Sequence, residues 1–170
     1  MNSIKISSSL HKIATAYQKQ LVNISEKQFQ ASPPIGGWSY SEVYAHIFDA
    51  SILSLETIED CLNGKGKDKP TAFIVKLILF YGSLPPGKYK APEILASRIR
   101  YITKDEAFLL IGDFLKRLDK DVPKISTARP QIKTKHPKLG YLNAIQWLRF
   151  TEIHLRHHFK QLKRIEKSFS

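Results

Sequence analysis

The 170-residue chain contains a single cysteine, Cys61, and a single methionine. One cysteine excludes an intramolecular disulfide and any multi-cysteine zinc cage, and it suits a reduced, cytoplasmic setting. Long apolar runs are also missing. The greasiest stretch, Thr71 to Leu84, is interrupted by Lys76 and falls short of the ~20 residues a membrane-crossing helix needs. The opening residues, MNSIKISSSLHKI, hold no apolar run and no small-residue cleavage pattern, so neither a membrane partner nor a secretory leader is expected. With 8 glycines and 9 prolines, collagen-like or Pro/Gly-rich disordered chains are excluded. Acidic residues are the scarce charge: 15 against 27 basic, a net of +12. Such an imbalance points first to an anionic partner.

The length suits one domain, residues 1–170. Helical periodicity dominates, and no segment shows sustained strand alternation. Ile6, Leu10, Ile13, Tyr17, Leu21 and Ile24 make one apolar stripe, predicting a first helix from near Ser7–Ser9 that fades before Pro33-Pro34. Ser39 and Glu42 form a capping box that opens a second helix, with Trp38 and Val43 placed as its hydrophobic staple. This helix is expected to end near Asn63-Gly64. A long connector, residues 64–102, holds a short apolar helix over Thr71–Tyr81 and a turn-rich run, Leu84-Pro85-Pro86-Gly87. Thr103 and Glu106 open a third helix, with Phe108, Ile111, Phe114, Leu115 and Leu118 inward. An irregular Lys- and Pro-rich stretch runs from Asp121 to Lys138, and a last helix from about Leu139 to Lys167. The expected fold is all-α, a four-helix bundle with a crossover connection between its second and third helices. The apolar Phe73–Tyr81 segment could serve a homodimer or cover the bundle.

Among six histidines, three are set apart by position. On a helix of about 100° per residue, His158 lies roughly 40° and Leu162 roughly 80° from His154, whereas His157 lies roughly 60° to the other side. His154 and His158 therefore point into the bundle one turn apart, with His157 on the flank. Two imidazoles at i and i+4 can share one metal ion. His46 supplies a third, on a face with Val43, Ala50, Leu53 and Thr57. Ala50 and Thr151 are small and leave room for an ion, a water and part of a substrate. Three histidines with open coordination positions describe a catalytic rather than a structural metal site. Zn, Ni, Fe and Co suit such a donor set equally. Asp49 and Gln161 stand where they could orient the ligands, and His157, Asp49 or Tyr44 could carry a proton. Cys61, about four turns from His46, reads as buried filler.

The segment Gly37-Trp38-Ser39-Tyr-Ser-Glu-Val-Tyr-Ala-His46 resembles the W-S…H motif of the DinB/YfiT-like superfamily. His136-Pro-Lys-Leu-Gly140…Trp147…His154-Leu-Arg-His157-His158-Phe-Lys-Gln161 resembles its C-terminal motif. Gln146 departs from the pattern, standing where an acidic residue precedes the tryptophan. The resemblance implies a four-helix bundle with a crossover and a divalent metal on His46, His154 and His158. It also implies either a metal-dependent hydrolase or an S-transferase using a low-molecular-weight thiol such as bacillithiol or mycothiol.

Charge is unevenly placed. From Lys116 onward there are 14 basic and 4 acidic residues, a net of +10. Lys124, Lys133, Lys135, Lys138 and Arg129 precede the histidine helix and are expected to draw an anionic small-molecule substrate to the site; Arg129, Lys133, Lys135 and Lys138 are the foremost candidates. The alternative is a non-enzymatic protein binding nucleic acid or another polyanion through this basic third, although no helix-turn-helix, RNP or zinc-finger pattern accompanies it.

Overall fold

The computed structural model describes residues 2–85 and 100–169. Six helices and one small hairpin occur among them: α1 Ser3–Asn23, α2 Glu26–Gln30, α3 Tyr40–Leu62, α4 Phe73–Tyr81, α5 Lys104–Ile125, β1 Thr134–His136, β2 Gly140–Leu142 and α6 Ala144–Ser168. Pro86 and Gly87 of the expected turn lie outside the described residues.

Helix starts follow local chemistry. Reciprocal capping boxes, Ser39 with Glu42 and Thr103 with Glu106, open α3 and α5 as expected. The first helix begins earlier than expected, because Asn2 caps it by accepting from Lys5 N. Ser25 then caps the separate short helix α2. α5 does not stop at Asp121 but continues through Pro123 to Ile125, burying Val122 and Ile125 as a further turn of its apolar stripe. Of its expected inward residues, Ile111, Phe114 and Leu118 are buried, while Phe108 and Leu115 are only half-buried. The last helix starts at Ala144 rather than Leu139: Asn143 and Gln146 form a third capping box, and the residues before it pair as an antiparallel hairpin, Thr134 opposite Leu142 and His136 opposite Gly140. Gly140 has φ +75°, a left-handed conformation that ends the three-residue turn and that side chains disfavour.

α1, α3, α5 and α6 form the bundle, with α3 packed on α5 and α6, and α1 on α5 and α6. Ser41 Oγ meets Ile102 O at 2.8 Å, Arg117 meets Glu56 at 3.2 Å and Lys120 meets Glu59 at 3.8 Å. The partners advance together along both helices, so α3 and α5 run parallel. Parallel neighbours demand a crossover between them, as the length of the connector suggested. His11–Asp119 and Lys104–Ile24 contacts make α1 antiparallel to α5. The core is aromatic at its centre: the Tyr17 ring meets Tyr44, Phe48 and Phe159 edge-on at 5.1–5.4 Å. Both tyrosine hydroxyls stay satisfied there, Tyr17 donating to Leu155 O and Tyr44 to Tyr17 O, each at 2.8 Å.

The back of α6 is fastened by charge. Glu152 is buried and accepts from Ser9 Oγ at 2.6 Å, from Arg156 at 2.9 Å and from Arg149. Arg149 also donates from Nε to Leu79 O of α4 at 3.0 Å.

Candidate metal centre

α3 and α6 bring three imidazoles together from residues more than a hundred positions apart. One ring nitrogen from each of His46, His154 and His158 lies within 4.8 Å of the others. Nε2 of His154 and Nε2 of His158 are 3.1 Å apart. Oε1 of Gln161 lies 2.8 Å from Nδ1 of His158. An amide oxygen only accepts, so Nδ1 carries the hydrogen and Nε2 keeps a bare lone pair facing His154. Among the described residues, Nδ1 of His46 is buried without a hydrogen-bond partner, a cost that structures leave only for a reason.

Burial sets the protonation state. It lowers His46 to about 4 and His158 to about 3, the latter lowered further by His46 and raised in part by the Gln161 bond. His154 lies well below the ordinary range, through burial first and then through His158 and His46. All three are neutral near pH 7, the form that offers a lone pair to a cation. Three neutral nitrogen donors on rigid helices fit a borderline divalent ion.

A cavity of about 510 Å³ opens in front of the cluster. Trp38, which precedes the Ser39 cap, faces the histidines: its ring is 4.9 Å from His46 and lies parallel to His158 at 6.2 Å. His157 is half-buried and also lines the cavity; burial, then Arg164 and Lys160, lower its pKa.

The remaining candidates are spread out. Lys135 and Lys138 line the cavity. Lys133 lies 3.9 Å from Asp68, Lys124 is 3.6 Å from Asp121, and Arg129 lines a separate depression near the start of α1. Asp49 is half-buried and is not among the residues lining the cavity. Tyr44 is committed to the core, its phenol held above the ordinary range by burial. Cys61 is buried, with Sγ 3.3 Å from Thr134 Oγ1.

Sequence reasoning passed over His136. Its Nδ1 accepts from Lys138 N at 3.1 Å and Leu139 N at 3.0 Å, shaping the hairpin turn. Its ring meets Phe150 at 4.6 Å, and Phe150 stacks on His154 at 5.4 Å. The signal available was its place in the HPxLG segment, but a three-residue strand leaves no periodicity to read.

A DinB superfamily profile matches residues 9–162. The chain belongs to the DinB superfamily. A solved structure described as TT2238, a four-helix bundle protein, aligns with this DinB chain at a TM-score of 0.58, with 18% identity, covering 95% of this chain and 96% of the other. At that identity the likeness shows the fold. No curated protein matches the chain. In this DinB member Gln146, the departure from the motif, has a local role: its Oε1 accepts from Asn143 N and from the Thr71 hydroxyl, each at 3.0 Å.

Proposed function

We propose that this DinB protein is a metal-dependent enzyme in which His46, His154 and His158 hold one divalent ion and a water or a thiol is activated beside them, for hydrolysis or S-transfer. The observation that carries the reading is the convergence of three neutral imidazole nitrogens within 4.8 Å at the wall of a cavity. When bound, the ion supplies Lewis acidity, which makes a water or thiol acidic enough to ionise near pH 7. The chain's own residues supply the rest. Gln161 holds His158 with Nε2 bare, Trp38 shields His46 and His158 from bulk water, and the half-buried His157 accepts the released proton at a ring nitrogen. Lys135 and Lys138 attract an anionic substrate, and Arg129 adds to the basic field at longer range, Lys133 less so because it meets Asp68.

Nucleic-acid binding is the weaker reading, because no helix-turn-helix, RNP or zinc-finger pattern accompanies the basic C-terminal third, and several of its cations are held in local ion pairs. Arg149 and Arg156 meet Glu152, Lys163 meets Glu166, and Lys133 meets Asp68.

Elemental analysis of protein purified under metal-replete conditions tests the site. About one ion per chain is expected in the wild type, with loss in both His154→Ala and His158→Ala. A metal-free wild type would overturn the proposal. Cobalt-loaded protein distinguishes the two chemistries: a thiol substrate produces a thiolate-to-cobalt charge-transfer band, and its absence across low-molecular-weight thiols leaves hydrolysis.

A further inference from the structure

The walls of the cavity carry a chemical signature of their own. Along α3 it runs from His46 past Ala50, Leu53 and Ser54 to Thr57, roughly 16 Å at ~1.5 Å per residue. The two hydroxyls on this wall are turned back into the helix. Ser54 donates to Ala50 O and Thr57 to Leu53 O, each at 2.8 Å, so neither has a hydrogen left for a ligand. Ile78, Leu84, Trp147 and Phe150 make up more of the lining. Among the described lining residues, the lysines come from one element. Lys135 and Lys138 come from the hairpin, and no aspartate or glutamate is among the described lining residues.

This combination is selective. Among the described lining residues a cation would meet two lysines and no carboxylate. Along α3 beyond His46, a sugar-like molecule would meet only two acceptor oxygens and no donor, leaving most of its hydroxyls desolvated without a partner. An apolar body gains from burial, and an anionic group gains from the lysines. Cavities of this size commonly combine an apolar lining with a few polar groups that fix orientation.

We propose that the cavity takes an amphipathic organic anion, with an elongated apolar body lying along α3 between Leu53, Ile78 and Trp147 and a carboxylate, sulfonate or similar charge toward Lys135 and Lys138. As the identity of the substrate, this rests on the reading of the histidine cluster as the reactive centre. As binding, it rests on the walls alone.

The chain's two tryptophans, Trp38 and Trp147, both line the cavity, so quenching of their emission reports its occupancy. The probes are 4-butylbenzenesulfonate, 4-butylbenzyl alcohol and 4-butylbenzylammonium, which share one apolar body and differ in charge. At low salt the sulfonate is expected to bind most tightly and the ammonium most weakly. Replacing both lysines, Lys135→Gln with Lys138→Gln, is expected to weaken sulfonate binding about fivefold, to near the level of the alcohol, and to leave the alcohol unchanged. High salt should have the same effect. Ala50→Phe fills the middle of the cavity and is expected to weaken the sulfonate and the alcohol at least tenfold. Thr57→Phe, at a half-buried position, does the same should the first variant fail to fold. An ammonium that binds as tightly as the sulfonate, or indifference to the filling variants, would overturn the proposal.

The titrations are run on chelator-treated and on metal-replete protein, beside elemental analysis. Anion preference without stoichiometric metal sinks the metal centre and keeps the ligand class. Stoichiometric metal without anion preference does the reverse.

Discussion

Gln161 accepts a hydrogen bond from Nδ1 of His158 at 2.8 Å, one turn along the same helix. The bond fixes both the tautomer and the rotation of a ring that faces two other imidazoles. Partners of this kind typically account for 10–100-fold in metal affinity. Gln161→Leu is therefore expected to weaken metal binding about tenfold or more in competition with a chelator, with helix content unchanged. Gln161→Glu keeps an acceptor and should restore most of it. Equal affinity in all three proteins would remove the positioning role.

His136 makes stability depend on pH. Burial, aided by Lys138, lowers it to about 4 from an ordinary 6.5. A base whose folded pKa is depressed binds fewer protons folded than unfolded in the window between those values. Stability therefore rises with pH across it, and is lost as pH falls from about 6.5 toward 4. Protonation would also remove the acceptor that holds Lys138 N and Leu139 N. Asparagine offers an oxygen at a similar position and does not titrate. In chelator-treated protein, His136→Asn is expected to flatten the fall in stability between pH 6.5 and 4.5 by about 1–2 kcal/mol relative to wild type. Parallel pH profiles from urea unfolding would contradict this.

Glu152 joins α1 to α6 through Ser9, Arg149 and Arg156. Glu152→Ala removes charge-assisted bonds from a buried position and leaves two guanidinium groups facing each other. A loss of about 2–3 kcal/mol in denaturant unfolding is expected. Arg156→Ala should cost about 1 kcal/mol or less, since Arg156 is largely exposed and leaves Arg149 in place. The opposite ranking would show that the network is not organised around the carboxylate.

Cys61 is buried, and burial raises its pKa. In native protein, iodoacetamide is expected to label it at least about a hundredfold more slowly than a free thiol, with full labelling in denaturant. Cys61→Ser should leave metal content unchanged. Rapid native labelling would reopen a role for this thiol.

The parts of this fold legible in the sequence are those whose cause is local. Ser39–Glu42 and Thr103–Glu106 announce helix starts because a capping box closes within four residues. The inward placement of His154 and His158 follows from helical angle alone. Asn143–Gln146 is the same device, yet the apolar Leu139, Tyr141 and Leu142 before it read as helix when they are a turn and a strand. The Lys- and Pro-rich stretch from Asp121 reads as irregular, but the turn around Pro123 buries Val122 and Ile125, and tertiary packing outweighs the proline. The cavity, the placement of Trp38 over the histidines and the support given by His136 are products of long-range packing. No spacing encodes them.

Arg149 ties the carbonyl of Leu79 to the carboxylate of Glu152, and so braces α4 against α6. It also fills the space over Gly82, which has φ +71° and where any added side chain would strike the guanidinium. The brace thus joins the helix that carries Ile78 to the helix that carries His154, both of which line the cavity. If the cavity binds the slender amphipathic anion proposed above, loosening this brace by Arg149→Ala would be expected to relax its preference for slender over bulky bodies.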